Sequence, residues 1–335
     1  MSAKIAFRNT LQLKNQDQRV FVPFLYGLAA RVTQTPLKTM AWDPVFYAHS
    51  LEACYKLFGH HVVVNSFDSS IEPECCGCEV NWHADFDEPD LNENCEIQIV
   101  SPEEFVSSGR IPVLVETTKR LSVSLGREAG VACVVTGPCA FGRSLRRLAG
   151  SLQNTAHEDA VSFAASLLKH YVKSLCEMKV DAVFFREDTL GSDFVKDLSE
   201  FGDSLIAAYK TLFNIIKFYN AFPLIIVRDI LGEDLESVCR KLKPNGAILM
   251  GRSFDEADLL SLKALSETMR VSLGLSLPVA EGDENELWTQ VKLIESFEMA
   301  SKIRTFFYTS DGAVHHDMPL EIMHSLMRLI GQNES

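Results

Sequence analysis

Charged side chains follow closely on apolar runs at several points of this chain, and those are the places where chemistry is expected. Asp68 comes just after Val62-Val63-Val64, a β-branched run of the kind that forms strands buried on both faces. Arg186-Glu187-Asp188, Arg228-Asp229 and Arg252 each close a later apolar run, and Ser310-Asp311 with His315-His316 close the last. Arginine forks hold carboxylates and phosphates through paired hydrogen bonds, and an acid beside them can polarise a group or move a proton. Asp68 and Glu187 are therefore the candidate catalytic groups. Arg186, Arg228, Asp229, Arg252, His315 and His316 are the candidate ligand-binding groups. The competing reading is that they pair with one another as rim salt bridges.

Metal chemistry has a weaker footing. Cys75, Cys78 and His83 supply zinc-type ligands in a Cys-x2-Cys arrangement, but a fourth ligand is missing and no second pair stands at zinc-ribbon spacing. A cysteine-rich helix end packed under a loop fits the stretch better, and no metal is expected there. His315 and His316 are adjacent, and neighbouring loop residues rarely face one ion. His60-His61 opens a strand and reads as structural. Arg143, Arg146 and Arg147 have helical spacing, which makes a basic face, solvated or turned to an acidic partner protein. The chain contains no GxSxG elbow, no His-Glu-x-x-His and no glycine-rich phosphate loop.

The elements that must position these residues repeat one pattern: short apolar strand, polar break, amphipathic helix. Strands are expected over 20–26, 61–65, 131–136, 181–185, 223–227, 247–251, 270–275 and 305–309. Helices are expected over 43–57, 113–125, 157–178, 203–218, 255–265, 284–300 and 319–330. Asp43-Pro44 and Asp255-Glu256 are helix-start signals. Strands alternating with helices, without hairpins between them, give a parallel sheet, and eight such units match an α/β (β/α)8 TIM barrel. In a barrel the C-terminal strand ends line the site. The whole chain, 1–335, reads as one such domain, with an acidic, proline-containing inserted loop region at about 84–112 near the barrel mouth.

The excess of 45 Asp+Glu over 32 Lys+Arg, a net charge of −13, argues against nucleic acid or an anionic membrane as partner. No apolar run approaches the length of a membrane span, and the polar N-terminus lacks a signal-peptide core. Nine cysteines without a secretion signal read as reduced thiols, hence a cytoplasmic location.

Taken in order, several stretches resemble the uroporphyrinogen decarboxylase superfamily, which includes that decarboxylase and the methylcobamide-dependent methyltransferases. They are Asp68 with Ile71-x-Pro73-x3-Gly77-x-Glu79-Val80, then Arg110-Ile111-Pro112, Val134-Val135-Thr136-Gly137-Pro138, Asp181-Ala182-Val183, and Asp317-Met318-Pro319-Leu320-Glu321. The resemblance covers nearly the whole chain and implies the same barrel. It assigns Asp68 to the aspartate that faces the pyrrole nitrogens of the decarboxylases, and Arg31 to the second arginine of their N-terminal carboxylate-binding motif. Gly27 replaces the first arginine, Ser144 stands near the decarboxylase tyrosine, and Gly312 near its histidine, with His315 close by. In the zinc-dependent methyltransferases the ligands are a His-x-Cys after strand five and a Cys after strand eight. Arg228, Ile230 and a position near Gly312 stand there instead, so zinc is not expected.

The resemblance therefore implies a corrinoid-dependent methyltransferase-like enzyme that moves a methyl group between a small substrate and a cobalamin on a partner protein. No cofactor is expected to stay tightly bound to the chain itself. The alternatives are tetrapyrrole decarboxylation and a non-catalytic barrel that binds a carboxylated ligand.

Overall fold

Eight apolar runs form parallel strands: β1 (Phe21–Phe24), β2 (Val62–Asn65), β3 (Gly130–Thr136), β4 (Ala182–Arg186), β5 (Phe222–Arg228), β6 (Gly246–Met250), β7 (Ser272–Leu277) and β8 (Phe306–Ala313). This computed structural model describes residues 1–14, 18–92, 98–148, 156–279, 284–301 and 306–331. The strands hydrogen-bond in the order β1-β8-β7-β6-β5-β4-β3-β2, which curls the sheet into a nearly closed (β/α)8 barrel. The two end strands meet along a seam where a side chain takes a backbone place. His61 N–H donates to Phe21 O at 3.2 Å, and Phe21 N–H donates to His61 Nδ1 at 3.2 Å.

Side-chain alternation splits the apolar residues between two cores. Val62, Val64, Ala132, Val134, Phe184, Leu224, Ile226, Ile248 and Met250 fill the barrel interior. Their neighbours Val63, Val131, Val135, Phe185, Ile225 and Leu249 face the surrounding helices. The long outer helices include Pro44–Phe58, Ile111–Ser124, His157–Glu177, Gly202–Phe218, Glu256–Met269, Glu284–Ser301 and Leu320–Gly331, all anticipated to within a few residues at their ends. Of helix Pro138–Leu148 only the helical spacing of Arg143, Arg146 and Arg147 was foreseen, and helix Gly232–Leu242 was not expected.

Nor was the N-terminal helix Ala3–Leu11, whose Ala6, Phe7 and Leu11 join the interior core. Phe7 leaves no room for a side chain at Gly130, since a Cβ there would stand 2.8 Å from its ring. Lys4 and Arg8 fasten this plug to buried Asp181 at 3.1 and 2.9 Å. The plug closes the end of the barrel opposite the candidate site.

Within the expected insertion, Asp90–Leu91 pairs antiparallel with Val80–Asn81, and Ser101 with Glu104 makes a capping box on helix Pro102–Ser107. Residues 93–97 lie outside the described residues. The segment runs past the C-terminal strand ends: Asp85 O accepts from Leu37 N–H at 2.6 Å, and the Phe86 ring faces His316 at 6.0 Å. Among the described residues no helix is long and apolar enough to cross a membrane.

Candidate functional site

The mouth takes its shape from an abrupt turn after β2. Asn65 is anchored by its side-chain amide, which donates to Leu114 O at 2.9 Å and Thr118 Oγ1 at 2.8 Å. Ser66 then adopts a left-handed φ of 72°, a conformation that carries strain in a non-glycine residue and is common beside sites. The turn drops Phe67 onto the interior core, stacked on Phe24 at 4.4 Å. The Arg186 guanidinium lies over the Phe67 ring at 4.0 Å, so Arg186 forms the next layer out, in the mouth.

Asp68 follows, buried and held on both oxygens. Oδ1 accepts from Ser70 N–H at 2.8 Å and from Ser70 Oγ at 2.6 Å. Oδ2 accepts from Arg110 Nη1 at 2.6 Å and from Tyr26 Oη at 3.3 Å. Arg110 is 1% exposed and also reaches Glu74 at 2.8 Å and Ser70 Oγ at 2.7 Å. This buried ion pair is the central polar feature of the mouth. Arg110 appeared in the sequence only within the Arg110-Ile111-Pro112 resemblance, with nothing to mark it as the partner of Asp68.

Glu88, from the expected insertion, completes the group. It is an exposed residue, yet the walls around its carboxyl desolvate it, and repulsion by Asp68 adds to that against the attraction of Arg186. Its pKa is pushed up to about 7. Arg186 also pairs with Asp188, at 3.0 Å from Nε and 3.2 Å from Nη2. Beside this cluster opens a cleft of about 340 Å3, lined by Ser69, Thr136, Ser144, Arg143, Arg147 and Arg186 among others. Buried Glu72 braces its wall by accepting from Thr136 N–H at 2.9 Å and Thr136 Oγ1 at 2.6 Å.

Glu187 stands apart from this group. It is fully buried behind β4, where its oxygens accept from the Cys139 and Ala140 N–H groups at 3.1 and 2.7 Å and from Tyr209 Oη. It thus caps the start of helix Pro138–Leu148, where a carboxylate complements the helix dipole. Burial nevertheless pushes its pKa up to about 8, against the lowering effect of those three donors. Gly137 is required by this contact, because a Cβ there would fall 2.0 Å from Glu187 Oε1.

The other anticipated residues divide between loop ties and the rim. Arg31 donates through Nη1 to His316 O and, at 3.0 Å, to Met318 O, which ties down the loop after β8. Arg228 Nη2 donates to Asp311 O at 3.3 Å. Asp229 is exposed in a left-handed turn with φ 56°. Arg252 forms the expected kind of rim pair, with Asp258 at 2.7 Å. Among the described residues no hydrogen bond or ion pair links Arg228 to Asp68 or Arg186.

Cys75, Cys78 and His83 do not come together. Cys75 is buried with its thiol donating to Ser108 O at 3.2 Å, and burial raises its pKa well above the usual range. His83 is exposed and pairs with Asp90 at 2.9 Å. Cys78 is disulfide-bonded, which corrects the expectation that every cysteine is a reduced thiol and removes its thiolate as a ligand. The zinc positions of the methyltransferases do not fit the metal either. Arg228 would repel a dication, Ile230 is apolar and 3% exposed, and Gly312 offers no side chain.

Fold and site together define a class: a (β/α)8 barrel with an acid–arginine group and a basic cleft at its mouth. No family profile and no curated protein sequence matches the chain. Among solved structures, a methyltransferase from Methanosarcina mazei has a TM-score of 0.76 at 16% identity, covering 98% of each chain. A B12-independent methionine synthase from a Shewanella species has a TM-score of 0.51 at 13% identity, covering 85% of this chain and 86% of that one. A putative B12-independent methionine synthase from Listeria monocytogenes also has 0.51, at 12% identity over 95% and 96%. At these identities the likeness is one of fold, and that fold is the one the superfamily resemblance implies.

Proposed function

We propose that this protein is a methyltransferase that moves a methyl group between a small substrate and a cobalamin carried by a partner protein. The observation that carries the proposal is the likeness, over 98% of both chains, to a methyltransferase structure. Docked at the mouth, the corrinoid would supply or accept the methyl group. The chain's own residues would handle the other substrate. A methyl acceptor must shed a proton to become a nucleophile, and Glu88, with its pKa near 7, suits that proton at neutral pH. Arg186 and Arg147 line the cleft and suit a carboxylate or phosphate on the acceptor, whereas the Arg143 guanidinium is already committed to Asp193 and Asp197. Asp68 and Arg110 would keep the site in shape without touching the reacting atoms. No step is assigned to zinc.

Tetrapyrrole decarboxylation has less support. Both Asp68 oxygens already accept hydrogen bonds inside the protein, and the Arg31 and Arg228 donors described above go to backbone carbonyls. The test is incubation with methylcobalamin and a set of small thiols and amines bearing carboxylates, followed by mass spectrometry of the products. Methylated product should form, with a rate that climbs through pH 7 as Glu88 loses its proton. Glu88→Gln should lower the rate by roughly 10²–10⁴-fold and abolish that limb. No product with any acceptor, together with a Soret shift on adding a tetrapyrrole, would turn the reading toward the decarboxylases.

A further inference from the structure

Two groups of side chains bring three metal-competent atoms within 4.8 Å of one another: Asp87, His315 and His316, and Cys139, His157 and Asp197. In the second, Arg143 holds both Asp197 oxygens, from Nη2 at 2.8 and 2.9 Å and from Nε at 3.1 Å. Arg146 and Arg147 line the cavity beside it. A cation there would face guanidinium groups. Around the first group Asp87 and Asp317 pair with the histidine rings, while the Arg31 guanidinium nearby is bonded to the His316 and Met318 carbonyls and pairs with none of the three.

The geometry points to a site for a divalent first-row transition metal, built from Asp87, His315 and His316. Two imidazoles and a carboxylate at a solvent-open place are a ligand set for zinc, cobalt or iron(II), with positions left for water. His316 carries most of the argument. Its Nε2 lies 3.2 Å from Asp317 Oδ1, while its Nδ1, on the opposite side of the ring, lies 3.6 Å from Asp87 Oδ1. An ion bound at Nδ1 would leave the ring proton on Nε2, on the side of the Asp317 carboxylate, where outer carboxylates stand beside metal-bound histidines. A separation of 3.6 Å is close to that of two ligands sharing an ion with bonds of about 2.0–2.2 Å.

His315 packs against His316 with ring centroids 4.3 Å apart. It accepts only a long bond from Asp317 N–H, at 3.3 Å, and is exposed enough to give that up by rotating. Adjacency in sequence therefore does not keep the two histidines off one ion, because the turn after β8 sets their rings side by side, with ligand atoms within 4.8 Å of one another and of Asp87. Asp87 arrives from the segment after β2, so the ion would bridge the two sides of the mouth. This inference stands whether or not the chain transfers methyl groups.

The test uses untagged, chelator-treated protein titrated with Co(II) alone, followed by d–d absorption and equilibrium dialysis. Saturable binding of one Co(II) per chain is expected. Asp87→Asn, His315→Gln and His316→Gln should each weaken it by at least tenfold, and Asp317→Asn by roughly 10–100-fold. His157→Gln should leave it unchanged, and thermal melts would show that the variants fold. The inference is overturned by an absence of saturable binding, or by binding that survives Asp87→Asn and His316→Gln. A sulfur-to-cobalt charge-transfer band that disappears in Cys139→Ser would also overturn it, since the ion would then occupy the buried group.

Discussion

Asp68 shows how one residue can be well placed by sequence and still change meaning in the fold. A carboxylate past a buried strand should reach a mouth, and it does, but it arrives already bound to Arg110. Removing one member of a buried pair leaves the other charge uncompensated, at a cost of about 3–5 kcal/mol. Asp68→Asn is therefore expected to lower the urea midpoint strongly as well as to disturb activity. Arg110→Met in the same chain should cost less than it does alone, because its Asp68 partner is already gone and only Glu74 is left unpaired. If the double variant is as unstable as the sum of the singles, the two residues are not coupled in this way.

At the scale of elements, helix Pro138–Leu148 is fixed from below by Glu187, and this contact has a pH signature. The folded-state pKa of Glu187 is raised from an ordinary 4.5 to about 8, so the folded chain holds this proton more tightly than the unfolded one. Its contribution is fully present below pH 4.5 and is lost as pH rises through 8. Glu187→Gln cannot ionise, so its stability should fall less between those limits. A difference on the order of 2–5 kcal/mol is expected from urea midpoints at pH 5 and pH 8.5. Parallel pH profiles for the two proteins would argue that Glu187 stays charged on its helix. The same helix marks how far the sequence could be read. Strands and long helices were legible because continuous apolar runs and three- and four-residue spacing survive burial. Helix Pro138–Leu148 was legible only in its arginine face, since Gly137-Pro138 reads as a turn and its N-terminal partner, Glu187, lies far along the chain. Glu88 and Asp87 were hidden for a like reason: an acidic loop looks solvated until the fold brings it against Asp68, Arg186 and His316.

Across the whole molecule, the seam between β1 and β2 forms no strand ladder among the described residues, and there the His61 ring stands in for a backbone carbonyl. Such a joint must keep His61 uncharged, since a protonated Nδ1 cannot accept from Phe21 N–H. Burial accordingly pulls its pKa from 6.5 down to about 4; burial and the nearby His61 take His60 to about 3. For a histidine depressed in this way, the stabilising contribution is intact above pH 6.5 and disappears as pH falls through 4. The mouth is tied independently, by Arg110 to Asp68 and by Arg31 to the loop after β8. Acid should therefore loosen the barrel first at the seam, next to the N-terminal plug, while the mouth holds. His61→Ala leaves Phe21 N–H buried without a partner, which costs roughly 1–3 kcal/mol at neutral pH, and it should flatten the decline in stability below pH 6.5. Hydrogen exchange resolves the order of events: in the parent chain at pH 5 the Phe21 and His61 amides should exchange faster than those of β4 and β5. Uniform exchange around the barrel would mean that the seam is no weaker than the ladders, and that closure owes little to this histidine.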